Sequence, residues 1–331
     1  RIGVRSHCPG EECPTKLTYL DNRDYANAND ANEFLMALAE GGHQVGALAK
    51  CLFPGGIEID AVGHDAQVEQ TMQLLEQDEI VLFEGAFRVG KLFIRVDLLR
   101  KSGNVIDLYE VKAKGFNPAD PGFIGAKGGF LSGMKGYLYD VAFQRHVLRQ
   151  VFPDSRVNSH LVMPDTSRIC QDEGVAQRLH IVKAGGRVRI DVDSSLLDGV
   201  TARAVLAIVP VDSLLDRLVA EPMQMGGYTW AFDEGIAMLE QKLDVEGWAP
   251  RLGGQCKSCE FRAGAAAAGS GLRDGQLECL ASRDSVRGHM AKAGKETIFD
   301  LYNFRRIDTL VDEGKLLLLD LEPEDIKLKQ S

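Results

Sequence analysis

The stretch Phe83–Lys112, FEGAFRVGKLFIRVDLLRKSGNVIDLYEVK, holds three short apolar segments that carry four charges in unexpected places: Glu84, Asp97, Glu110 and Lys112. Phe83–Arg88, Lys91–Leu99 and Val105–Ala113 are rich in β-branched and aromatic residues, and Arg88-Val-Gly-Lys91 and Lys101-Ser-Gly-Asn104 supply turn chemistry between them. This predicts a strand meander. Alternation places Ile106, Leu108, Glu110 and Lys112 on one face, with Asp97 across the hairpin. A carboxylate inside such a segment is costly unless something pairs with it. Two acidic groups this close repel unless they share a proton or a cation, and Mg²⁺ needs only one or two carboxylates beside water and phosphate oxygens. A lysine beside that cation orients or helps deprotonate an attacking water. Read alone, the pattern also fits a sheet edge with solvated charges and a Glu110–Lys112 pair.

The chain of 331 residues is 45% hydrophobic and 26% charged, a composition that supports one large soluble domain or two smaller ones. Its net charge of −10 argues against a protein that coats nucleic acid by bulk electrostatics, while leaving room for a local basic groove. The basic groups are Arg145, His146 and Arg149; Arg95, Arg100 and Lys101; and Lys112, Lys114 and Lys127, each of which also fits a solvated face. With no apolar run of about 18 residues and no signal pattern, the expectation is a cytoplasmic protein without membrane association. Arg1 stands where a methionine is expected, which suggests an upstream piece.

Pro14 after Cys13 suits the first turn of a helix, which would put that thiol at a helix N-terminus. Asp30–Lys50 is a second helical stretch, its stripe of Phe34, Leu35, Leu38, Val45, Leu48 and Ala49 broken at Gly41-Gly42. Asp65–Gln77 is a third, with Val68, Met72 and Leu75 on one face. After Lys112, a glycine- and proline-rich loop runs to Phe130, long enough to be mobile and functional. Lys135–Val151 then reads as a helix with Leu138, Val141, Ala142, Leu148 and Val151 buried and Gln144 one turn from Val141 and Leu148. Ser159–Met163 is a further strand, so the order strand, strand, strand, helix, strand predicts an α/β fold. Arg178–Val192 alternates as a hairpin around Gly185-Gly186; Val211–Leu218, Asp233–Leu243 and two segments within Lys295–Asp320 read as helices.

Seven cysteines in a reducing compartment point to thiols or metal ligands. Cys256-x2-Cys259 has chelating spacing, Cys279 supplies a third ligand, and Cys13 or Cys8 a fourth. Four thiolates suit either tetrahedral zinc or an iron–sulfur cluster. Cys51 and Cys170, in apolar surroundings, read as inert core thiols.

Glu84, Asp97, the Glu110-Val-Lys112 triplet and Gln144 on the next helix together resemble the PD-(D/E)xK nuclease core in its RecB-like form. Cys13 with Cys256, Cys259 and Cys279 resembles the iron–sulfur version in AddB and in CRISPR-associated RecB-like nucleases. The pieces Cys13–Leu20, Phe83–Phe87, Arg95–Leu99, Glu110–Lys112 and Tyr139–Leu148 look like uncharacterised bacterial RecB-like nucleases over roughly residues 13 to 281. This chain departs from the pattern where a metal-binding histidine is often found, at Gly46, where a tyrosine is often found, at Leu148, and in its longer Cys259-to-Cys279 spacing.

The resemblance implies a restriction-endonuclease-like α/β core, a mixed central sheet flanked by helices, with a cysteine-ligated cluster joining the N- and C-terminal parts. The nuclease domain would span 1–281, and 282–331 would be a helical extension or linker. Also implied is a Mg²⁺- or Mn²⁺-dependent deoxyribonuclease, an exonuclease on single strands or DNA ends serving DNA repair or phage defence. Asp97 and Glu110 would bind the metal with the Val111 carbonyl as a further ligand, Lys112 would position the water, Glu84 would hold a metal-bound water or second ion, and Gln144 would orient the site. Lys114 and Arg145 would contact nucleic acid, and the four cysteines would hold a [4Fe–4S] cluster, with zinc as the alternative. A further nuclease or helicase domain or subunit is an expected partner. The competing readings are a catalytically weak nuclease-fold module that binds nucleic acid and a zinc-stabilised structural protein.

Overall fold

The computed structural model describes residues 2–3, 13–20, 22–30, 32–184, 187–225, 228–242, 250–263, 271–282 and 296–326. By internal packing the chain forms two units, one of residues 1–8 and 33–221, the other of residues 9–32 and 222–331. The boundary expected near residue 281 thus falls inside the second unit.

The first unit is mixed α/β. Its seven-stranded sheet runs β2 (Ile57–Glu58), β3 (Glu79–Val89), β4 (Leu92–Ser102), β5 (Val105–Val111), β6 (Arg156–Pro164) and β9 (Leu206–Pro210), with β1 (Ile2–Gly3) parallel to the start of β4. The expected meander is β3–β4–β5, antiparallel throughout. Gly90 and Gly103 open its two-residue loops at φ 57° and 55°, a backbone region where a Cβ is penalised. The β5–β6 pair is parallel, so the chain must cross over between them, and the helix Ser132–Val151 makes that crossover.

Register turns the alternation of the meander into two buried rows. Leu82, Leu99 and Leu108 align across β3, β4 and β5, all with no solvent exposure. Each such leucine contributes about 1.5–3 kcal/mol by burial. One residue along, Phe83, Leu98 and Tyr109 align and pack with Leu48 and Ala49 of the helix Glu33–Lys50 and with Val162 of β6. The hairpin β7 (Leu179–Ala184) and β8 (Arg187–Val192) adds Leu179, Ile190 and Val192 to this layer; Gly185-Gly186 lie outside the described residues.

Several expectations are corrected. Gly41 and Gly42 do not break their helix, which runs unbroken from Glu33 to Lys50. Two glycines cost only about 1 kcal/mol each against alanine, and the last turn is anchored by Leu48 and Ala49 in the core. Phe34 and Leu38 of the expected stripe are 74% and 60% exposed. Cys51 is buried, but Cys170 is exposed, with its thiol on the Asp172 carbonyl. The long loop after Lys112 is pinned rather than free: Phe116 and Phe123 are buried, and Phe116 exchanges backbone hydrogen bonds with Pro164 and Thr166.

In the second unit the hairpin β10 (Met223–Met225) and β11 (Tyr228–Trp230) precedes the helix Phe232–Lys242. Its core gathers Leu252, Leu280, Ile298, Phe299, Ile307 and Leu310. The early segment joins through backbone: Ala26 donates to Arg273, Arg273 to Asp24, and Ala28 to Glu260. The two helices expected in Lys295–Asp320 are one short helix, Ile307–Asp312, between 3-10 turns at Ile298–Asp300 and Leu318–Asp320. Asp300 accepts from the Thr297 N–H and Asp320 from the N–H groups of Leu316 and Leu317, a local alternative to continued helix. No helix among the described residues is long and apolar enough to cross a membrane.

Candidate functional site

Within the first unit, the strand charges and the crossover helix meet. Glu110 is buried near the end of β5; its Oε2 accepts from Gln144 Nε2 at 2.7 Å and its Oε1 lies 2.9 Å from Lys112 Nζ. Lys112 also donates to Asp140 Oδ2 at 2.8 Å and sits 5.1 Å over the Tyr137 ring. Asp97 Oδ2 accepts from the Val111 N–H at 2.7 Å, which ties β4 to the strand bearing Glu110. Asp140 Oδ1 and Gln144 Oε1 are buried acceptors with no protein donor. An unsatisfied buried acceptor costs about 1–3 kcal/mol and marks a place where a donor or cation is welcome.

Glu84 stands opposite Asp97, between the registered pairs Phe83–Leu98 and Gly85–Val96. Its φ of 58° is left-handed, in the middle of a strand and at a residue with a Cβ. Such a conformation costs of order 1–3 kcal/mol and persists only where the surroundings over-determine it. Arg95 Nε at 3.0 Å and Lys50 Nζ at 3.5 Å neutralise its carboxylate.

Asp97 is partly exposed as a side chain, but protein crowds its carboxylate. Desolvation first, then the charges of Glu110 and Glu84, hold its pKa well above the usual carboxylate range, against the Val111 N–H and Lys112. Burial alone would depress the Lys112 ammonium, but Glu110 and Asp140 outweigh it and hold it raised. Lys112 is therefore a cation at neutral pH. For Asp97, a folded pKa above the unfolded value means stability fully present below about pH 4 and lost as pH rises through the folded value. Metal-free Asp97→Asn is accordingly expected to be more stable than the parent at pH 7, with the gap closing toward pH 4. Urea unfolding at the two pH values checks this, and a parent more stable than the variant at pH 7 would contradict it.

In the second unit one pocket is lined by Cys13, Cys256, Cys259 and Cys279, together with Lys16, Tyr19 and Gln276. Cys256 lies in the 3-10 turn Gly254–Ser258 and Cys279 in the helix Gly275–Ala281, whose first turn Asp274 caps through the Leu277 N–H. Burial, with a smaller contribution from the neighbouring cysteines, pushes the thiols of Cys256 and Cys279 up to about 12 and that of Cys259 to about 11. Tyr19 Oη lies 3.2 Å from Cys279 Sγ, and the buried Lys16 pairs with Glu260 at 2.6 Å. Among the described residues, no three His, Cys, Asp or Glu side chains stand in position to hold one metal ion.

No family model, no curated protein and no solved structure matches this chain.

The structure brings Glu110, Lys112 and Gln144 into direct contact, links Asp97 through the neighbouring backbone N–H, and leaves Glu84 with Arg95 and Lys50. Arg145 is not on a nucleic-acid surface: it is 3% exposed and paired with Asp212 and Asp216, because its side of the helix packs on the helix Asp212–Ala220. Lys114 is exposed, with its ammonium on the Gly133 carbonyl. Cys8 lies outside the described residues. Asp140 was missed by sequence reasoning, although it lies four residues before Gln144, hence on the same helix face.

Proposed function

We propose that the first unit is a divalent-cation-dependent nuclease with a restriction-endonuclease-like core, acting on DNA single strands or ends. The observation that carries this reading is the placement of Asp97 and Glu110 on the adjoining strands β4 and β5, with Lys112 just past the end of β5 and Gln144 held against Glu110 from the crossover helix. The donor set fits a hard cation: Asp97 is held raised by burial first and then by the charges of Glu110 and Glu84, and Gln144 has a buried acceptor left without a donor. Asp97 and Glu110 would hold Mg²⁺ or Mn²⁺, with the Val111 carbonyl as a further ligand, and Glu84 would hold a metal-bound water or second ion. A cation bound there supplies charge stabilisation at the scissile phosphate and acidifies its water. Lys112 orients the attacking water, and Gln144 fixes the Glu110 carboxylate.

The four cysteines of the second unit line one pocket beside the buried Lys16, which supports their holding a [4Fe–4S] cluster, or zinc as the alternative, once their side chains turn toward one centre.

The parent is expected to cleave single-stranded DNA in Mn²⁺, and Asp97→Ala and Lys112→Ala to lose at least about a hundredfold. Cleavage by either variant at the parental rate ends the nuclease reading. Glu110-dependent Mn²⁺ binding with no cleavage of single-stranded or duplex DNA would instead favour the catalytically weak binding module.

A further inference from the structure

Lys112 has two carboxylate partners, and they are not equivalent. Glu110 lies two residues earlier, on β5, and is shared with Gln144; Asp140 comes from the crossover helix, is fully buried, and has Lys112 as its ion-pair partner. A lone carboxylate with no exposure is costly, so its retention needs a partner that stays. On the nuclease reading, a divalent cation must take the Glu110 carboxylate that Lys112 now touches. The ammonium then loses an anion and gains a like charge a few ångströms away, and both effects drive it out of the site. Asp140 Oδ2, at 2.8 Å, opposes that loss from the far side, while the Tyr137 ring lies beneath the ammonium. Asp140 and Gln144 sit one helical turn apart, so one rigid element grips both working residues: Gln144 takes Glu110 and Asp140 takes Lys112.

We propose that Asp140 is a positioning residue that keeps the Lys112 ammonium in place when a divalent cation takes over Glu110. This rests on the nuclease reading of the same site. The role is separable from simple core stability, because an ion pair that only stabilises the fold has no reason to matter more in metal than without it.

The test uses the full chain with ¹⁵N-labelled lysine, and the Lys112 ammonium resonance is assigned by its loss in Lys112→Met. In the parent the resonance is expected to persist from metal-free to Mg²⁺-saturated protein. In Asp140→Asn it is expected to persist without metal, where Glu110 still holds it, and to vanish on Mg²⁺ saturation. Mn²⁺-dependent cleavage by the same variant is expected to fall in kcat by about ten- to a hundredfold, with KM for DNA changed less than about twofold. Asp140→Ser, which removes the carboxylate without burying an amide, serves as the second variant should Asp140→Asn not fold. The proposal is overturned if the resonance survives Mg²⁺ in either variant, if the parent loses it, or if the loss of activity falls on KM. Failure of the nuclease reading looks different: the parent itself would neither cleave DNA nor bind Mg²⁺ through Glu110.

Discussion

Glu110→Gln is expected to abolish Mn²⁺-dependent cleavage, by at least about a hundredfold, while Glu84→Gln loses no more than about tenfold. Both changes remove one negative charge and keep the shape of the side chain. The difference lies in what each carboxylate already touches. Glu84 is held by two cations, Arg95 and Lys50, so less of its charge is left for the metal-bound water or second ion it would hold. Glu110 is buried, is fixed by Gln144 and has one cation, Lys112, which it shares with Asp140, so more of its charge is left for a metal ion. Glu110→Ala is expected to cost stability as well, about 1–3 kcal/mol, because the buried Gln144 amide loses its acceptor. Cleavage rates at saturating Mn²⁺ and urea unfolding measure the two effects. Equal losses from Glu84→Gln and Glu110→Gln would show that Glu110 has no special place in the chemistry.

If the four cysteines hold a cluster or zinc, Cys256→Ser is expected to lose it and to lower the melting temperature of the second unit, whereas Cys170→Ser leaves both unchanged. Cys256 is buried in the pocket that the other three cysteines line, and Cys170 is exposed elsewhere. A metal held there would join the early segment to the late one and so contribute folding energy directly. Losing about 3 kcal/mol of it lowers Tm by roughly 10 °C or more in a domain of this size. Absorbance near ~400 nm distinguishes an iron–sulfur cluster from colourless zinc. Unchanged metal content and Tm in Cys256→Ser would remove the cluster from the reading.

What the residues declare locally, they declare well. Gly90 and Gly103 mark the loops, and period-two alternation between them sets the rows Leu82–Leu99–Leu108 and Phe83–Leu98–Tyr109. The crossover helix was legible from Leu138, Val141 and Leu148, all fully buried, and with it the turn that carries Gln144. These features depend on neighbours a few positions apart, where propensity and periodicity act.

Contacts between distant segments were not legible, because a side chain's charge does not say which element will pack on it. Arg145 looked like a surface cation until Asp212 and Asp216 closed over it. Cys170 looked buried from its neighbours in sequence, yet its loop leaves it exposed. Asp140 showed nothing until the parallel β5–β6 crossover laid its helix against Lys112. The meander Phe83–Lys112 was therefore written in the chain as a pattern of strands and charges. Only the packing of that helix brings Asp140 against Lys112 and Gln144 against Glu110 and buries these groups together.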